Sequence, residues 1–141
     1  NMRKASSVIG LCLVLALVLN VMGMQREHPD IMKDIGRTRG SLNRNIEAGS
    51  GDAAAADAMK LEGFFKELVP MYEAMSNMEP AIEIANKAAA ASAAAAEAAK
   101  AGNMEAAMEA HGNIRGTCGD CHRQYREKTA EGSYRIKRPG G

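Results

Sequence analysis

The sequence predicts an all-α protein folded as an antiparallel four-helix bundle. Three observations point there. Beyond Met24, no run of β-branched residues alternates with period two for long enough to make a strand. Four stretches instead repeat apolar residues at helical spacing. The breaks between them, at Gly49-Ser50-Gly51, Ser76 to Glu79 and Gly102-Asn103, are short, which favours neighbours that run antiparallel.

The first helix is expected from about Pro29 to Ala48. Proline suits the first helical position, and Ile31, Ile35, Leu42 and Ile46 fall along one side. The second runs from near Asp52 to about Met75, with Leu61, Phe64, Phe65, Leu68, Tyr72 and Met75 as its stripe. Pro70 lies inside it and is expected to kink or shorten it. The third spans roughly Pro80 to Ala101, its inner face beginning at Ile82 and Ala85. Its low-complexity run KAAAASAAAAEAAK reads as helix rather than linker, because alanine is the best helix former. The fourth follows Asn103, a good cap, and continues to about Lys128. On it Met104, Met108, His111, Cys118, Cys121, His122 and Tyr125 lie on or near one stripe.

Composition limits what such a bundle can bury. The 141 residues suit one domain, yet they include no Trp, two Phe and three Tyr. Alanine and methionine dominate the apolar set, and small side chains fill little volume. A bound apolar cofactor would supply the missing bulk. The formal charge is +1, which excludes an electrostatic case for nucleic acid.

Residues 1–23 read as an export signal. Arg3 and Lys4 precede an apolar run from Val8 to Leu19, the length of a signal core and short for a membrane span. Val21-Met22-Gly23 would serve for cleavage, leaving Met24 first; the rival is an uncleaved anchor. Cys12 is apolar filler of that signal. Losing Arg3 and Lys4 turns 18 basic side chains into 16 against 17 acidic ones. Residues 24–129 then form the bundle domain, and residues 130–141 a basic, flexible tail. Either reading of the N-terminus exports Cys118 and Cys121, so the expected compartment is the periplasm, with membrane attachment only if the segment is retained.

The chemistry concentrates in Thr117-Cys-Gly-Asp-Cys-His122. A structural zinc site needs four ligands and this motif offers three; His111, the only nearby addition, lies on the same helix. A thioredoxin-type dithiol belongs with strands. Cys-x-x-Cys-His is the c-type haem attachment pattern. On a helix, Cys118 and Cys121 share a face and reach the two vinyl-derived carbons of one porphyrin, while His122 beside them projects under its centre. The expected cofactor is one covalently attached haem c, with its iron, per chain.

The fourth helix, GNMEAAMEAHGNIRGTCGDCHRQYREK, in a four-helix chain resembles the cytochrome c-prime family, including its six-coordinate, low-spin relatives. The resemblance covers about residues 26–129. It implies thioether roles for Cys118 and Cys121 and the proximal iron-ligand role for His122. It also places an arginine one turn later, here Arg126, which by helical spacing shares the haem-side face; the plainer reading is a solvated cation at a helix end. The family's distal residue sits early in the first helix. In HPDIMKDIGRTRGSL the matching position is Met32. Five-coordinate members carry a bulky apolar residue there, and six-coordinate relatives a methionine that binds the iron. Met32 is also a plausible core filler in a chain with ten methionines. His28, one turn earlier, is the competing ligand and stands where many family members carry an arginine that helps hold a haem propionate. Gly36 and Gly40, four apart on one side, fit close approach of the haem or of a neighbouring helix. His111 lies about 16 Å along the helix from His122 and cannot cap the other side of the same ring, so it reads as a core or surface histidine.

Such a site implies an electron carrier rather than an enzyme, with no catalytic acid or base, and with redox proteins as partners. The alternative is a five-coordinate protein that binds nitric oxide or carbon monoxide. A third reading is an anchored subunit of a larger redox complex. The family includes both monomers and dimers, so a homodimer is an expected possibility.

Overall fold

The computed structural model describes residues 26–139. The expected export segment and Cys12 lie outside the described residues. Helix α1 (His28–Glu47) starts with a proline in its first turn and buries Ile31, Ile35, Leu42 and Ile46, the four side chains its spacing selects. Burying each contributes roughly 1.5–3 kcal/mol. The helix ends in a Schellman motif: Gly49 N–H donates to the Ile46 carbonyl and Ser50 N–H to that of Asn45. Gly49 sits at φ 69°, a conformation that costs a glycine nothing.

Helix α2 (Gly51–Glu73) buries Leu61, Phe65, Leu68 and Tyr72, and adds Ala54, Ala55 and Ala58 near its start. Phe64 and Met75 are only partly buried. Pro70 does not end the helix. It lies on the exposed face, where water can serve the carbonyl left without its N–H.

Helix α3 (Glu79–Lys100) is the alanine-rich one, and its interior face is Ala81, Ala85, Ala88, Ala89, Ser92, Ala95, Ala96 and Ala99. Ile82 lies at the edge of that face rather than on it, because the packing distance is set by alanines and leaves no room for a larger side chain. A second Schellman motif closes α3, with Gly102 N–H donating to Ala99 and Asn103 N–H to Ala98. Asn103 then caps helix α4 (Met104–Tyr125) by accepting the Ala106 N–H at 3.0 Å.

The order α1 to α4 packs as a ring of sequential neighbours, an all-α four-helix bundle. Contact between α2 and α3 is the most extensive, and contact between α1 and α4 is the thinnest around the ring. Among the described residues, no helix is long and apolar enough to cross a membrane.

The chain after α4 differs from expectation. The helix stops at Tyr125 instead of Lys128, and an antiparallel hairpin follows, strand β1 (Arg126–Lys128) pairing with β2 (Tyr134–Ile136). A loop closed by Thr129 N–H to the Ser133 carbonyl, with Gly132 at φ 82°, turns the chain back. Lys137 N–H donates to the Tyr125 carbonyl, and Ile136 packs on the core. The expected solvated tail over residues 130–141 is therefore a folded hairpin as far as Ile136. Tyr134 and Ile136 are the β-formers that pair it.

Candidate haem site

A cavity of about 840 Å³ opens at one end of the bundle. That lies high in the range of roughly 300–1,000 Å³ usual for ligand and cofactor pockets. Its walls are the start of α1, the end of α2, the start of α3 and the end of α4. The thin contact between α1 and α4 lies beside it. From α3 the wall is Ala81, Ile84, Ala85 and Ala88, so three alanines leave the space open. From α2 come Phe65, Leu68 and Tyr72. Residues Ser133 to Ile136 of the hairpin line one edge.

Cys118, Cys121 and His122 face this cavity from the last turns of α4, and all three are half-buried. The two cysteines are free thiols. Burial pushes both up from the usual thiol range; Arg39 pulls Cys118 partly back, and Cys118 adds to the rise at Cys121. His122 is held below its ordinary value first by burial, then by the cations Arg126 and Arg39. Both effects favour the neutral imidazole, the form with a lone pair to give to a metal.

Met32 and His28 line the cavity from α1. His28 is not a bystander at the start of the helix. Its Nε2 lies 3.2 Å from the Tyr72 hydroxyl, and burial, then the nearby His122, lowers its pKa. Gly36 also lines the cavity, and a Cβ added there would meet no protein atom within 4 Å. Close approach of a neighbouring helix is thus not what Gly36 serves. At Gly40 an added Cβ would meet only the Arg44 side chain, at 3.5 Å.

Arg126 lines the cavity but not from a helix. Its backbone is extended, and its guanidinium lies 4.4 Å from the Tyr134 ring centroid in a cation–π contact. The helix-face position expected for it is corrected, while its field still acts on His122. His111 is buried and absent from the cavity lining. Its ring lies near the Arg39 carbonyl, across the α1–α4 seam.

The residues present fit a haem. One wall carries two unpaired thiols and a neutral imidazole, the facing helix a thioether and a second imidazole, and α2 and α3 add mostly apolar side chains. The charged side chains among the lining, Lys33, Arg39, Arg126 and Arg135, are all cations, suited to a cofactor edged with carboxylates. Among the described residues, no group of three or more His, Cys, Asp or Glu is placed to hold a bare metal ion. Sequence reasoning missed Arg39 and Tyr72 as site residues. Tyr72 sat in a core stripe, and nothing in Gly36-Arg-Thr-Arg-Gly40 separates one arginine from the other.

A helical bundle whose last helix presents Cys-x-x-Cys-His to a cofactor-sized cavity defines a c-type haem protein. A family model described as Cytochrome C' matches residues 24–126, and the chain belongs to that family. Cytochrome c-prime is itself a standard example of the four-helix bundle. No curated protein and no solved structure matches the chain.

Proposed function

We propose that this protein is a periplasmic electron carrier with one haem per chain, its iron bound by His122 and Met32. One observation carries the reading: Met32 on α1 and His122 on α4 line the same cavity from the two neighbouring helices whose contact is thinnest around the ring. Bound haem supplies the one-electron couple. Cys118 and Cys121 would fasten the ring to α4, and His122 would offer its lone pair from the same turn. Met32 offers its sulfur from the facing helix. With the iron held by both His122 and Met32, a change of charge would need little rearrangement, and a methionine–histidine pair would raise the potential. No substrate bond is broken, so the partners are redox proteins. Arg126 and Arg39 add positive charge beside His122, which favours the reduced state.

The optical spectrum of the ferric protein tests this. A thioether–iron charge-transfer band is expected, and Met32→Ala is expected to abolish it and convert low-spin iron to high-spin. An unchanged spectrum in that variant would remove Met32 from the site. A parent protein already high-spin, with ready carbon monoxide uptake, would instead make it a five-coordinate gas binder.

A further inference from the structure

His28 and Met32 stand one turn apart on α1, and both side chains line the cavity. Imidazole is the better general ligand for iron, and thioether sulfur the softer, weaker one. Left free, His28 would compete with Met32. What restrains it comes from α2. The Tyr72 hydroxyl lies 3.2 Å from Nε2 of His28, with the ring centroids 6.0 Å apart and the planes inclined by 53°. Tyr72 itself is 3% exposed and packed in the core, so it cannot follow the histidine toward the cavity centre. Cys121 of the motif helix is also a near neighbour of that hydroxyl.

The Nε2 atom has one bonding position in the ring plane. If Tyr72 donates to it, its lone pair is occupied. If Nε2 carries the proton and donates to the Tyr72 oxygen, it has no lone pair to give. In either tautomer the nitrogen that projects farthest from α1 is engaged away from a metal. We propose that Tyr72 is a positioning residue that selects the sixth ligand, retaining His28 on the α2 wall and leaving the position to Met32. The inference rests on the reading of Met32 as ligand and names what makes that ligation exclusive.

The test uses the haem-loaded protein. Tyr72→Phe keeps the ring and removes only the hydroxyl. The expected result is loss of the thioether charge-transfer band, an electron paramagnetic resonance spectrum of bis-imidazole low-spin iron, and a fall in potential. The double variant His28→Ala, Tyr72→Phe should recover the band. A Tyr72→Phe protein with the parent's spectrum overturns the inference, as does loss of the band that the double variant fails to reverse. If the parent lacks the band, the Met32 reading fails by itself. The inference then requires Tyr72→Phe to turn high-spin iron low-spin through His28, and persistence of the high-spin spectrum overturns it too.

Discussion

Two glycines of α2 meet the same substitution with opposite consequences. An ideal Cβ on Gly51 would lie 2.8 Å from the Ala99 carbonyl oxygen, against the 3.4 Å at which ordinary contact begins. That oxygen is not free to move. It accepts the Gly102 N–H at 3.1 Å in the turn that closes α3, and Ala99 is buried. Relief requires the start of α2 to part from the end of α3, an overpacking cost of about 1–3 kcal/mol. Alanine offsets about 0.4–1 kcal/mol of this by restricting the unfolded chain. Gly51→Ala should therefore destabilise the protein by about 1–2 kcal/mol. Gly63 is exposed in mid-helix, and its added Cβ would meet nothing within 4 Å. Gly63→Ala should stabilise by roughly 0.5–1 kcal/mol. Urea unfolding of the two haem-loaded variants, followed by circular dichroism, measures both on one scale. If Gly51→Ala stabilised as much as Gly63→Ala, the two helices would not approach as closely as this and the reasoning would fail.

Two further outcomes follow from the same structure. Burial, then Arg39 and Arg115, holds His111 below its ordinary 6.5, although the Arg39 carbonyl and Glu47 oppose the shift. As pH falls past about 6.5 the unfolded chain takes up a proton that the folded chain refuses, so stability declines until the folded value is reached. The difference in unfolding free energy between the parent and His111→Gln, measured against pH, should be flat above that window and change within it; a difference flat throughout would refute the assignment. In a Cys118→Ala, Cys121→Ala variant, which cannot attach haem, the cavity end should loosen while the alanine-packed end persists. Amide exchange should accelerate by about tenfold or more in residues 28–39 and 117–125, and much less in 54–61 and 92–99. Uniform protection across the chain would count against a cofactor-supported cavity end.

Much of this was legible without coordinates. Four apolar side chains at helical spacing fixed the buried face of α1, and Gly49 and Gly102 marked two helix ends because only a left-handed residue completes those turns. The motif's place on the last helix followed from the spacing of Cys118, Cys121 and His122. The hairpin was not legible. Its strands hold three residues each, and Arg126-Glu-Lys128 has no strand-forming character until Tyr134 and Ile136 pair with it across the turn. That pairing took Arg126 off the helix. Ile82 misled for a related reason: periodicity finds a face to within one residue, but only packing decides whether alanine or isoleucine lies innermost. Tyr72 was read as core, which it is, while its hydroxyl makes contacts that periodicity cannot register.

Alanine performs two opposite tasks in this bundle. At the end formed by Ala54, Ala55, Ala58, Ala95, Ala96, Ala99, Ala107 and Ala110 it lets three helices close on one another. At the other end Ala81, Ala85 and Ala88 hold the wall back and create the cavity. The same residue type gives both results because α1 contributes differently along its length. Leu42 and Ile46 fill the space at the closed end, whereas Gly36 supplies no side chain beside the cavity. Met32 lies between buried Ile31 and Ile35, so its direction is set by how those two anchor α1. Cys118, Cys121 and His122 sit on α4, which meets α1 over the thinnest contact in the ring. The two proposed iron ligands are therefore positioned by different packing: His122 by the covalent motif on its own helix, Met32 by the isoleucines that seat α1. A substitution that shifts α1 would change the Met32 side without disturbing the Cys118–His122 side, which makes the α1 wall the adjustable part of the proposed site.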